Sequence, residues 1–210
     1  MGTACDPVTG TIRLYSAQMP PVLDAIQRDG VCMSRAEYVE KKYQESASSF
    51  LIVYRWFSER ADLLVPRPKG AELPYWAFGD LFAVDASDSD DSILILDVPR
   101  DQVILFDRYD WTKLMQLSYL GETEQQEKDF WKRLHLCGLT EYEVMMSRFY
   151  PEWKDEILAS WERLFRHHEA LLHGDSSGVR GIQAAMWKIE KGWIVDKNKR
   201  NETTRSIPRK

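Results

Sequence analysis

Alternation of apolar and polar side chains predicts a first strand at residues 11–17, "TIRLYSA". Apolar Ile12 and Leu14 alternate with polar neighbours there, as in a strand with one buried face. The next segment, "QMPPVLDAIQRDGV", has two prolines where a helix can begin and Gly30 where it would end. The pattern therefore predicts a strand, a short helix and a glycine stop.

The strongest helical pattern runs over residues 34–64. Ser34 and Glu37 have the spacing of a capping box, and apolar residues recur at helical spacing from Tyr43 to Ala61. We interpret this stripe as core packing and not as a cofactor site. The proline-rich segment "VPRPKGAELP" then predicts a loop.

Strand signals return after that loop. "PYWAFGDLFAV" is an aromatic strand candidate, and "SILILDVPRDQVILFD" predicts two short strands on either side of Pro99. Between them, "DASDSDDS" is an acidic segment without the spacing of a calcium-binding EF-hand loop, so we interpret it as an exposed connection.

Residues 111–173 have a helical pattern that Gly121 and Gly138 interrupt, with Pro151 tolerated in the first turn of the last long helix. The stretch "VRGIQAAMWKIEKGWIVD" then predicts a final strand. This order favours the α+β class, with a small central, mostly antiparallel sheet flanked by helices. We expect one domain over residues 1–196 and a basic, disordered tail over residues 197–210.

Charge and composition limit the range of functions. The 210 residues carry a net charge of −5, but residues 196–210 hold six basic and two acidic side chains. The tail is thus either a solubilising extension or an arm that contacts a nucleic acid or an acidic protein. The sequence has no apolar run long enough to span a membrane, no secretion signal and only three scattered cysteines, which together favour a cytoplasmic protein.

Common catalytic motifs are missing from the sequence. In "HHEALLH", His168 and His173 are five residues apart, which places them roughly 140° apart around a helix and unable to share a metal. We expect an exposed, basic helix end there. The loop "GDSSGVRG" beside Arg180 is either a connection or a phosphate cradle. We expect no metal site.

Four segments carry a family resemblance: "LYSAQ" at 14–18, "LPYWAF" at 73–78, "SWERLF" at 160–165 and "IQAAMW" at 182–187. In this order and spacing they resemble an uncharacterised bacterial family, the domain of unknown function of type 3841. The resemblance implies a cytoplasmic, single-domain protein without an established activity.

The opening "RLYSAQMPPVLDAIQRDGV" is also similar to the first strand–helix–glycine unit of the ADP-ribosyltransferase superfamily, in particular its DNA-modifying toxin branch. That likeness implies NAD as co-substrate, bound in a cleft. It also implies a polar first-strand residue that holds the nucleotide, an aromatic ring that stacks on nicotinamide, and a late-strand carboxylate that binds the ribose.

Residue by residue, the likeness assigns the first-strand role to Tyr15 or Gln18 and the stacking role to Tyr75 or Trp76. The late-strand position is Gln183, where a transferase would use Glu, and a glutamine cannot supply negative charge. Glu162 in "SWERLF" is the substitute carboxylate. We therefore expect either an ADP-ribosyltransferase-like enzyme or toxin that modifies a nucleic acid or protein, or a non-catalytic binding or adaptor module.

Overall fold

A computed structural model describes residues 5–6, 10–34, 47–85 and 92–195 of the chain. Eight strands lie within these ranges, in two sheets. The strands of the main sheet are β1 (Cys5–Asp6), β2 (Thr11–Gln18), β4 (Tyr75–Phe78), β5 (Ser92–Pro99), β6 (Ile104–Asp107) and β7 (Ile182–Met186). The second sheet pairs β3 (Val31–Met33) with β8 (Lys188–Glu190).

Every pair of strands in the main sheet is antiparallel. Strand β2 pairs with β5 along its whole length and with β1 and β4 on its other side. Strand β7 lies between β4 and β6, so β6 forms one edge of the sheet. The predicted α+β class, with a mostly antiparallel central sheet, is confirmed.

Helices occupy most of the remaining described chain. They are α1 (Pro20–Asp29), α2 (Ala47–Leu64), α3 (Arg108–Met115), α4 (Glu124–Leu136), α5 (Glu141–Met146), α6 (Pro151–Trp161) and α7 (His168–Leu172). Short 3₁₀ turns occur at Leu81–Ala83, Arg100–Gln102, Glu162–His167 and Lys191–Trp193. No described helix combines the length and the apolar character that crossing a bilayer requires.

The local predictions at the start of the chain are confirmed. Strand β2 and helix α1 follow the predicted order, and Gly30 ends α1 with a φ of 79°, a left-handed conformation that glycine adopts without steric cost. Its N–H donates to the carbonyl of Ile26 at 3.0 Å. The predicted capping box at Ser34 and Glu37, the aspartates of 86–91 and the tail at 197–210 involve residues outside the described ranges.

The prediction of a single final strand is wrong, because the chain leaves the main sheet at Trp187. Strand β7 ends one residue earlier, and β8 joins the second sheet with β3. Trp187 is 2% exposed, and its indole N–H donates to the carbonyl of Val65 at 2.7 Å. Burial of this large ring beside the end of α2 accompanies the break in the strand.

Two hydrophobic clusters cover opposite faces of the main sheet, because successive side chains of a strand point to opposite sides. One face, here called the aromatic face, carries Trp76 and Phe106 and packs against α2 and α3 through Phe57 and Trp111. The other, here called the α1 face, carries the side chains of Leu14, Ala77 and Ala184 and packs against α1 and α7.

The prediction that His168 lies at an exposed helix end is wrong. His168 is 6% exposed, and its Nδ1 accepts a hydrogen bond from the backbone N–H of Leu105 at 3.2 Å. Strand β6 is an edge strand, so this N–H has no strand partner and takes the imidazole instead. Burial lowers the pKa of His168, which keeps the ring neutral and able to accept.

Candidate functional site

One row of side chains crosses four strands of the main sheet on the aromatic face. Tyr15 is opposite Phe78, Phe78 is opposite Gln183, and Gln183 is opposite Phe106. Directly opposed residues in antiparallel strands have their Cβ atoms about 4.5–5.5 Å apart. These four residues, here called the Tyr15–Gln183 row, therefore form a continuous line of side chains.

The row passes from the protein core to a half-open surface. Phe106 is fully buried and packs edge-on against Phe57 at 5.5 Å between ring centroids. Phe78 and Tyr15 are only half-buried, and neither belongs to the two hydrophobic clusters. Two aromatic rings are thus available next to the core without being part of it.

Gln183 is the polar member of the row. The residue as a whole is 4% exposed, and no hydrogen bond joins its side-chain amide to another residue that the structure describes. The amide atoms of Gln183 are not among the fully buried polar atoms that lack a partner, so the amide retains contact with solvent and is accessible to a small molecule. The amide offers both a donor and an acceptor to a ligand on the aromatic face.

Gln18 and Tyr75 lie on the α1 face, so the sheet separates them from Gln183. The Gln18 amide donates to the hydroxyl of Ser16 at 2.8 Å, and that hydroxyl donates to the carbonyl of Trp76 at 2.6 Å. The hydroxyl of Tyr75 donates to the sulfur of Cys32 at 3.1 Å. These predicted nucleotide-binding residues form hydrogen bonds within the chain, and they lie on the opposite face of the sheet from Gln183.

Trp76 lies on the same face as Gln183, opposite Ala185, but it is packed among other rings. Its centroid is 4.6 Å from that of Trp111, 5.2 Å from that of Phe57 and 5.3 Å from that of Tyr54. This predicted stacking residue is therefore part of the hydrophobic core.

Glu162 lies off the sheet, at the start of the 3₁₀ turn that follows α6. Its carboxylate forms an ion pair with Arg60 of α2, and the two side chains are 48% and 39% exposed. Among the described residues, Glu162 makes no contact with the row. The predicted substitute carboxylate is thus a surface residue of the helical layer.

Sequence reasoning missed Phe78 of the row and, beside the row on the same face, Arg13 and Asp97. Phe78 was not singled out, although its position in the aromatic strand was a usable signal. Arg13 precedes Tyr15 by two residues on the same face, and its guanidinium forms two hydrogen bonds with Asp97 of β5, one of them at 2.9 Å. That pairing depends on strand register, which no local pattern showed.

A separate polar groove of about 760 Å³ lies beside helices α3 and α4. At its floor Asp110 is 2% exposed and accepts from Arg166 at 2.8 Å, while Asp107 caps α3 by accepting from the N–H of Tyr109 at 3.0 Å. Burial raises the pKa of Asp110, and the positive charge of Arg166 partly offsets this effect.

The charged side chains that line this groove already pair with other groups of the same chain. Lys113 pairs with Glu127 at 2.5 Å, and Glu141 accepts from the N–H of Tyr119 at 2.8 Å. Burial raises the pKa of Glu141. Arg180, the cation of the predicted phosphate cradle, lies 4.4 Å from the Tyr109 ring and faces the buried aspartates. We interpret the groove as a network that holds the α3–α4 connection.

Metal coordination finds no support in the described ranges. No three histidine, cysteine, aspartate or glutamate side chains come together there in a group that could hold an ion. The row remains the arrangement best suited to a ligand, because it combines half-buried rings with an unpaired amide.

The fold and the row define a small α+β domain with a half-open aromatic surface on its sheet. Residues 13–195 match the model of the family described as Domain of unknown function (DUF3841), and the chain belongs to that family. A search of curated proteins and a search of solved structures found no match.

Proposed function

We propose that this domain binds NAD on the aromatic face of its sheet and acts as an ADP-ribosyltransferase-like enzyme on a macromolecular target. The observation that carries the proposal is the Gln183 amide: the residue is 4% exposed, and the amide has no hydrogen-bond partner among the described residues. It lies in line with the half-buried rings of Phe78 and Tyr15. Ligand sites typically combine apolar surface with a few placed polar groups.

The nicotinamide riboside half of NAD has the chemistry that this row would recognise. The nicotinamide ring is flat and can stack on the rings of Tyr15 or Phe78. Its carboxamide and the ribose hydroxyls donate and accept hydrogen bonds, as does the Gln183 amide. A site that hydrogen-bonds such a group discriminates strongly against ligands that lack it, because its own polar atoms are then left unpaired.

Transfer of ADP-ribose makes a further demand on the site. The bond to nicotinamide breaks through an oxocarbenium-like state, which nearby negative charge stabilises. Gln183 is neutral, and Asp97, the carboxylate beside the row, is paired with Arg13. The row therefore supports NAD binding more directly than it supports transfer.

A non-catalytic binding module is the second candidate function. It would use the same unpaired amide and the same rings, because these features bind a ligand without any need for charge. The two candidates differ in one observable, the release of nicotinamide.

The test is isothermal titration calorimetry of the whole chain with NAD, followed by chromatographic measurement of nicotinamide after incubation with cell lysate. We expect saturable binding and release of nicotinamide. ADP-ribose, which lacks the nicotinamide ring, is the matched ligand control and should bind more weakly. Binding without release would favour the binding module, and the absence of both would overturn the proposal.

A further inference from the structure

Two arginine side chains meet at the ring of Tyr109, where β6 has ended and β7 is about to begin. The guanidinium carbon of Arg180 is 4.4 Å from the centroid of that ring, and the guanidinium carbon of Arg108 is 5.4 Å from it. The two guanidinium groups therefore lie within about 10 Å of each other. Tyr109 is 43% exposed and the Arg180 side chain is 58% exposed, so this cluster is open to solvent.

Neither guanidinium group donates a hydrogen bond to a residue that the structure describes. Arg180 lies 3.6 Å from the carboxylate of Asp107 and 3.9 Å from that of Asp110, which are ion-pair distances too long for hydrogen bonds. The Arg108 side chain lies against Gly181 and the Tyr109 ring, and no described carboxylate pairs with it. Both groups therefore keep their N–H donors for a ligand.

The buried carboxylate of Asp107 holds Tyr109 and Arg180 together. It is 3% exposed and accepts from the backbone N–H of Tyr109 at 3.0 Å and from that of Arg180 at 3.3 Å. Asp110, which is 2% exposed, pairs instead with Arg166 at 2.8 Å. Three guanidinium groups thus surround two buried carboxylates, and the exposed side of the cluster is positively charged.

The loop of residues 174–181 fixes the position of Arg180. Gly178 of this loop packs so closely on the imidazole of His167 that a side chain at this position would clash. Three backbone N–H groups of the loop already donate within the chain, those of Ser177, Val179 and Arg180. A ligand here therefore meets a preorganised loop, and it is bound by arginine side chains more than by the backbone amides of the predicted phosphate cradle.

The chemistry of the cluster favours a small phosphate-bearing ligand. Guanidinium groups form paired, charge-assisted hydrogen bonds with phosphate oxygens. A long polyanion fits less well, because the neighbouring groove is lined by Glu122 and Glu124, whose side chains are 64% and 89% exposed. Exposed carboxylates repel a chain of phosphates that extends across them.

We propose that Arg108 and Arg180 bind the phosphate group of a small molecule beside the ring of Tyr109. The phosphate oxygens accept from the two guanidinium groups, while Asp107 keeps Arg180 and Tyr109 in place. This site follows the Tyr15–Gln183 row along the chain and contains none of its residues. It goes beyond the proposed function, because it requires no NAD on the aromatic face.

The test is calorimetric titration of inorganic pyrophosphate into the whole chain, in a chloride buffer without NAD. We compare the wild type with Arg108→Gln and Arg180→Gln, and we expect each variant to bind about tenfold more weakly or less. Arg133→Gln is the matched control, because Arg133 is 53% exposed and lies 5.3 Å from the centroid of the Trp153 ring. Its affinity should stay within about twofold of the wild type.

Folding of the variants is checked by circular dichroism. Arg180 lies beside two buried aspartates, so Arg180→Gln carries a risk of misfolding. Arg108 has no such ion pair among the described residues, and Arg108→Gln is therefore the deciding variant.

Three results would overturn this proposal. The first is no binding of pyrophosphate by the wild type, and the second is wild-type affinity in Arg108→Gln or an equal loss in Arg133→Gln. The third is a short single-stranded oligonucleotide that binds more tightly than pyrophosphate and requires Arg108, because the ligand would then be a nucleic acid. Since no NAD is present, these outcomes are independent of whether the row binds NAD.

Discussion

Gln18 and Gln183 are both buried glutamines of the main sheet, and they face opposite sides of it. Gln18 is 8% exposed and donates to the hydroxyl of Ser16 at 2.8 Å, whereas Gln183 is 4% exposed and has no side-chain partner among the described residues. The two residues therefore form a matched pair, one with a structural amide and one with an amide available to a ligand.

Replacing Gln183 by leucine tests this difference through stability. Leucine retains most of the volume and removes an amide that forms no hydrogen bond with another described residue, so no hydrogen bond within the protein is lost. We expect the free energy of unfolding of Gln183→Leu to equal that of the wild type or to exceed it by about 1 kcal/mol, measured by urea denaturation. Gln18→Leu loses a hydrogen bond, so its free energy of unfolding should be lower than that of the wild type by about 0.5–1.5 kcal/mol. If Gln183→Leu lost more free energy of unfolding than Gln18→Leu, the Gln183 amide would have a structural partner.

His168 makes stability depend on pH. Burial lowers its pKa in the folded state, so the unfolded state binds the proton more readily. The contribution of His168 is fully present above the ordinary histidine pKa of about 6.5 and is lost as the pH falls below it. The free energy of unfolding, measured by urea denaturation from pH 7.5 down to about pH 5, should therefore decrease.

His168→Gln separates this effect from other titrations. A glutamine can still accept from the N–H of Leu105, but it carries no proton in this range. We expect a shallower loss of stability on acidification than in the wild type. His173→Gln, at an exposed position of the same segment, is the control for replacing a histidine by glutamine. Equal slopes in His168→Gln and the wild type would contradict a buried, neutral His168.

Trp76 should behave as a core residue. Its ring contacts those of Tyr54, Phe57 and Trp111, so Trp76→Ala is expected to lower the free energy of unfolding by about 3–5 kcal/mol. Trp76→Phe keeps an aromatic ring in the cluster and should fold well enough for calorimetry with NAD. Loss of NAD binding in that folded variant would instead identify Trp76 as part of the ligand site.

Glu162 should be dispensable both for folding stability and for release of nicotinamide. Its exposed ion pair with Arg60 is of a kind that contributes about 0–1 kcal/mol, so Glu162→Ala is expected to change the free energy of unfolding by no more than that. Release of nicotinamide should also be unaffected. A large loss of release with normal stability would restore Glu162 as a catalytic residue.

Much of the fold could be predicted from local patterns. Alternation in β2, the prolines that begin α1 and the glycine that ends it act over a few residues, and each was visible in the sequence. The apolar positions of α6 were visible for the same reason: Ile157 and Trp161 recur at helical spacing and are fully buried. Such patterns report which side of an element is apolar.

The site could be predicted only in part, because it depends on contacts between distant segments. Alternation alone separates Tyr15 from Gln18, but the alignment of Tyr15 with Gln183 requires the register of three strands. The role of His168 depends on β6 being an edge strand, and the break at Trp187 depends on a carbonyl of the distant residue Val65. No local pattern contains these relationships.

The most direct test of the central claim is calorimetric titration of NAD into the wild type, Gln183→Leu and Gln18→Leu under the same conditions. If the Tyr15–Gln183 row binds NAD, Gln183→Leu should weaken binding by about tenfold or more, while Gln18→Leu should stay within about twofold of the wild type. Equal affinity in Gln183→Leu and the wild type, or an equal loss in both variants, would contradict the assignment of the row as the NAD site.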